Sequence, residues 1–131
     1  SNIGYDIYCV FVPAIVYNSK ASDADRLPCK LKFTLGYTKQ NGTASTTTLK
    51  NGSSSDFITR PDVIDTIMVG SNVTVPTCSY DLDEPTVTLK IQSTVTSTQT
   101  SKYTRTMRLD CIILKPHENT ASSAKSIRIT K

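Results

Sequence analysis

Apolar and polar side chains alternate with a period of two along most of this chain, and that period is incompatible with a helical core. The run KLKFTLGYT at 30–38 is the cleanest case. Leu31, Phe33, Leu35 and Tyr37 point one way, while Lys30, Lys32 and Thr34 point the other. Successive side chains of a strand leave opposite faces, so such a run makes a half-buried strand. Gln40-Asn41-Gly42 follows, and an Asn-Gly pair accepts the positive φ that a tight hairpin turn demands. The return segment TASTTTLK at 43–50 is polar and threonine-rich, which predicts a solvent-facing edge strand.

The same reading extends to the rest of the chain. YDIYCVFVPAIVY at 5–17 is apolar on both faces and predicts a central strand, bent or ended at Pro13. VIDTIMV at 63–69 reads as a strand closed by Gly70, with Val73 and Val75 as a short strand or edge before Pro76. TVTLKIQ at 86–92 turns Val87, Leu89 and Ile91 inward. STVTSTQTS at 93–101 is a strand end or a polar hairpin. YTRTMRLDCIILK at 103–115 is the last long strand, with Tyr103, Met107, Leu109, Cys111 and Ile113 facing one way and Thr104, Thr106, Arg108 and Asp110 the other, and Pro116 stops it. No segment carries a capped i, i+3, i+4, i+7 pattern. Turn signals every ~8–15 residues predict a single all-β domain over 1–131, an antiparallel sandwich of seven or eight strands with immunoglobulin-like or jelly-roll topology. Its core is expected over 5–116, with a polar tail at 117–131 that becomes apolar at Ile127 and Ile129 and either adds a short edge strand or stays loose.

Composition removes several functions. Fifteen serines and twenty threonines suit solvated strand faces. One histidine and five scattered glycines build neither a multi-histidine metal site nor a phosphate-binding loop. The net charge of +4 is spread along the chain rather than concentrated in a patch, which argues against a nucleic-acid partner. No apolar run reaches the ~20 residues that cross a bilayer. The polar opening Ser1-Asn2-Ile3-Gly4 shows no signal peptide and reads as the start of a mature or excised segment. The cysteines at 9, 29, 78 and 111 contain no C-x-x-C pair, so neither a zinc knuckle nor a redox dithiol is expected. Cys9 and Cys111 lie in apolar strands and read as buried thiols. Cys29 follows Pro28 in a loop, Cys78 follows Pro76-Thr77, and these two are the pair open to a disulfide.

Candidate chemistry is sparse. His117 has no nucleophile placed beside it by sequence, and Asp62, Asp65, Asp110 and Glu118 are not convened by any motif, so no enzymatic activity is expected. Asp81, Asp83 and Glu84 supply the oxygens of a calcium loop without its full frame, and turn chemistry explains them equally well. No other cofactor is indicated. Tyr17, Tyr80 and Tyr103 near strand ends can offer faces to a sugar, although aromatic rings more often pack into a core or rim. The N-x-[ST] frames at Asn41, Asn51 and Asn72 are glycan acceptors only in a eukaryotic secretory pathway, and the two Asn-Gly pairs are better read as turns.

Taken together, YDIYCVFVP (5–13), RLPCKLKFTLGYT (26–38), RPDVIDTIMVGSNVTVPTCSYDL (60–82), PTVTLKIQSTVTS (85–97) and YTRTMRLDCIILKP (103–116) resemble the β-sandwich segment of surface lipoproteins in gut Bacteroidetes. Such segments occur beside fasciclin-like modules and near outer-membrane glycan-uptake systems. The resemblance implies export to the cell surface, outer membrane or periplasm, a lipid-anchored parent chain, and a role in adhesion or in binding a glycan or surface protein. It carries no functional motif onto particular residues. The expected function is a non-catalytic extracytoplasmic binding module, with a structural spacer or an assembly subunit joined through sheet edges as the alternative.

Overall fold

The computed structural model describes residues 4–38, 42–50, 58–74 and 87–118. They contain six strands: β1 (Gly4–Phe11), β2 (Leu31–Thr38), β3 (Ala44–Lys50), β4 (Asp65–Thr74), β5 (Val87–Ser93) and β6 (Leu109–Pro116). These form two three-stranded antiparallel sheets, ordered β4-β1-β6 and β3-β2-β5. The all-β class follows the alternation. Seven or eight strands were expected, and the described residues hold six.

One apolar core joins the two sheets. Ile7, Cys9 and Phe11 of β1 meet Leu31 and Phe33 of β2 and Ile67 and Val69 of β4, while Leu89 and Ile91 of β5 pack on the margin. Phe33 is fully buried, and its ring centroid lies 6.3 Å from that of Phe11 at a tilted 57°. Burial of one such ring stabilises the fold by about 1.5–3 kcal/mol. The inward set of β2 is the one its sequence period predicts, with Leu31, Phe33 and Leu35 all buried. β3 is the polar edge expected, and Gly42, at φ +85°, sits in the turn before it.

Three segments depart from the period. The apolar run beyond Pro13 is no strand: Ala14–Tyr17 form a single helical turn, α1, closed by Asn18 N–H donating to the Ala14 carbonyl at 2.9 Å. Pro13 cannot donate to a strand ladder, and one turn is too short to show a helical period. β4 does not stop at Gly70. It passes through a bulge, with Gly70 opposite Ile7 and Val73 opposite Tyr5. Asn72 takes up the irregularity at φ +52°, a conformation asparagine tolerates better than most residues.

The third departure is the last strand, which begins at Leu109 rather than Tyr103. The segment before it is held irregularly, with Thr104 N–H donating to the Pro28 carbonyl at 3.0 Å and the Arg105 guanidinium to the Val95 carbonyl at 3.2 Å. Within β6, Leu109 lies opposite Phe11, and past a register shift Ile112 pairs with Cys9 and Leu114 with Ile7, so from Ile112 onward the even-numbered positions take the inner face. Cys111 lies on the other face and is exposed, which corrects its reading as a buried thiol; Cys9 is buried as expected. No helix among the described residues is long and apolar enough to cross a membrane.

Candidate functional site

An apolar groove opens between the two sheets on the side where β5 and β6 are the outermost strands. Its volume is about 500 Å³, and its lining is Tyr5 and Ile7 from β1, Leu35 from β2, Val87 and Leu89 from β5, and Ile112 and Leu114 from β6. Among the described residues no charged side chain contributes to that lining. The groove exists because both rim strands carry apolar residues toward a gap that no described strand fills. Leu114 is 58% exposed, and Val87 and Ile112 are also exposed.

The backbone of β6 is as informative as its side chains. His117 N–H donates to the Gly4 carbonyl at 2.8 Å, so position 117 turns its polar backbone groups toward β1. In an antiparallel ladder this orientation alternates along the strand. Residues 115, 113 and 111 therefore share it, while Ile112, Leu114 and Pro116 turn theirs away from β1. Proline fits there, because a strand proline sits where its missing N–H would have faced outward. Among the described residues, β6 has a neighbouring strand on one side only.

A second hollow, about 20 Å³, is lined by residues that include Val12, Ala14, Leu27, Cys29, Thr59 and Thr106. It has room for little more than one water. Cys29 beside it is free and buried; its Sγ donates to the Thr106 carbonyl at 3.1 Å, and its N–H donates to Thr59 Oγ1 at 2.8 Å. Burial raises the pKa of this thiol, and burial pushes that of Cys9 up to about 11. Both are thus poor nucleophiles.

His117 pairs with Asp6, Nδ1 to Oδ1, at 2.8 Å. The same carboxylate oxygen accepts the Asn72 N–H at 2.9 Å. The Asn72 amide, and then His117, hold the Asp6 carboxyl below its ordinary value, with a smaller contribution from Ser71. Ser71 acts on the carboxylate; in a nucleophile–base–orienter chain a hydroxyl must meet the imidazole instead. The remaining acidic candidates are scattered. Asp65 is buried and paired with Arg60 at 3.1 Å, while Asp62, Asp110 and Glu118 are exposed.

The tyrosines are not gathered into a sugar platform within the described residues. Tyr17 ends α1, well exposed, with the Arg108 guanidinium 6.0 Å from its ring centre. Tyr103 is half-buried in the segment before β6, with Lys30 Nζ at 5.7 Å. Neither ring lines either hollow. Tyr80, the calcium candidates Asp81, Asp83 and Glu84, and the second disulfide candidate Cys78 lie outside the described residues. Among the described residues no three His, Cys, Asp or Glu side chains form a group suited to a metal ion.

The groove was missed at the sequence level. The alternation across 103–115 puts Leu109, Cys111 and Ile113 on one face, but the register shift after Leu109 reverses that parity and turns Ile112 and Leu114 inward. Pro116 was the available signal, since it marks β6 as an edge. No protein-family model matches the chain, and no curated protein or solved structure matches it either.

Proposed function

We propose that this chain is a non-catalytic binding module that engages a partner protein along its open β5/β6 side. In this reading the two sheets are the layers of an immunoglobulin-like or jelly-roll sandwich. The likeness to surface lipoproteins supports an exported, lipid-anchored parent chain at a bacterial cell surface or in the periplasm.

The observation that carries the reading is the combination of a roughly 500 Å³ apolar groove with an edge strand along its rim. Edge strands with free backbone groups recruit strands from other chains, and pockets for alternate side chains then supply selectivity. A glycan is the poorer ligand for this site, because among the described residues no carboxylate or amide side chain lines the groove to bond sugar hydroxyls. An assembly subunit joined through its edges uses the same geometry and differs only in the identity of the partner.

A random peptide library displayed on phage, screened beside a glycan array, tests the proposal. Peptides are expected to be enriched on the wild-type domain and lost on Leu114→Lys, with no glycan retained. Glycan binding that survives Leu114→Lys, with no peptide enriched, contradicts it.

A further inference from the structure

We infer that the partner contributes an extended segment that adds to β6 as an antiparallel strand, with an apolar side chain at every second position entering the groove. This rests on the protein-binding reading above and specifies what that site selects. The outward backbone groups of β6 belong to Ile112 and Leu114, and the side chains of these same two residues line the groove. In an antiparallel pair, residues joined by two backbone hydrogen bonds face each other and share a sheet face. The segment residues that bond Ile112 and Leu114 through their backbone are therefore the ones whose side chains enter the groove. Both described partners of β1 run antiparallel to it, and an antiparallel addition continues that sheet.

The chemistry of the rim narrows the segment further. Among the described residues the lining offers no charge and only the Tyr5 hydroxyl as a polar side-chain group, so the segment's inward positions are uncharged and apolar. A small-molecule site of this size normally adds several converging polar groups to fix its ligand; here the fixing groups are the strand's own backbone. Outward positions of the segment lie beside Cys111, Ile113 and Lys115. Lys115 belongs to a chain of net charge +4, so acidic or neutral polar residues complement it there. β3 at the opposite end of the other sheet is also an edge, but its Thr46, Thr47 and Thr48 are exposed and polar and frame no such groove.

The test uses a short synthetic peptide alternating valine with glutamate, and two versions N-methylated on every valine or on every glutamate. Binding to the full chain is read by fluorescence anisotropy. The parent peptide and the glutamate-methylated version are expected to bind with similar affinity. Valine methylation removes the amides that face β6 and is expected to weaken binding by at least about tenfold. Leu114→Lys is expected to abolish binding with an unchanged melting curve, while Thr47→Lys on β3 leaves it intact. Equal binding by both methylated peptides overturns the inference, as does failure of the parent to bind. A stable dimer in light scattering that Leu114→Lys dissociates gives the edge to a second copy and also overturns it. Library peptides that compete at β6 without an alternating apolar pattern overturn the inference while leaving the proposed function standing.

Discussion

His117 Nδ1 lies 2.8 Å from Asp6 Oδ1, fastening the residue just past β6 to β1. Asp6 in turn accepts the Asn72 N–H from β4, so one carboxylate links all three strands of its sheet. The pairing holds β6 at the end where its inner side chains border the groove.

The clasp predicts a pH dependence. Folding lowers the Asp6 pKa below its ordinary value of 3.8, chiefly through the Asn72 amide and His117. A carboxyl lowered on folding contributes stability that is present above the unfolded value and lost as pH falls through the folded one. Urea midpoints of the wild type should fall as pH drops below 3.8. Asp6→Asn should be less stable at neutral pH and should show a shallower decline in the acid range.

Asn72 sits at φ +52° in the β4 bulge. Asn72→Gly should change stability by no more than about 0.5 kcal/mol, because glycine adopts positive φ freely. Asn72→Val should cost about 1–2 kcal/mol, since a β-branched residue is strained there. Equilibrium unfolding of the two variants checks the difference.

Among the described residues Phe33 is the largest fully buried side chain, and it meets Phe11 of the other sheet. Phe33→Ala should remove about 3–5 kcal/mol. A domain whose whole stability is about 5–15 kcal/mol would then be close to unfolding, and the urea midpoint should drop accordingly.

Thiol chemistry should separate the cysteines. Cys111 is exposed, Cys9 is buried with its pKa near 11, and burial also raises that of Cys29. Alkylation of the native protein at mildly basic pH, mapped by mass spectrometry, should modify Cys111 and leave Cys9 and Cys29 intact until denaturant is added. Native modification of Cys9 would contradict the core packing described.

What could be read without the structure depended on how one-sided each strand is. β2 faces a core with one parity and solvent with the other, so Leu31, Phe33 and Leu35 were legible, and Gly42 marked the turn to β3. In β6 the alternation groups Leu109, Cys111 and Ile113, but the register shift between Leu109 and Cys111 reverses the parity, so Ile112 and Leu114 turn inward instead. The face was set by pairing with Cys9 and Ile7, which are more than a hundred residues away in sequence. The Asn72 bulge and the α1 turn are single-residue and single-turn events, below the resolution of any periodic signal. The groove depends on which strands end up outermost. That is a property of topology, whereas the tyrosine and acidic candidates rest on residue type alone.

Amide hydrogen exchange along β6 tests the central claim most directly. Cys111, Ile113 and Lys115 point their N–H groups toward β1 and should be protected in the free domain, while Ile112 and Leu114 should exchange rapidly. Addition of the alternating valine–glutamate peptide should protect Ile112 and Leu114 and leave the others unchanged. Protection of Ile112 and Leu114 before any peptide is added, or no change after it, would contradict an open edge that accepts a partner's strand.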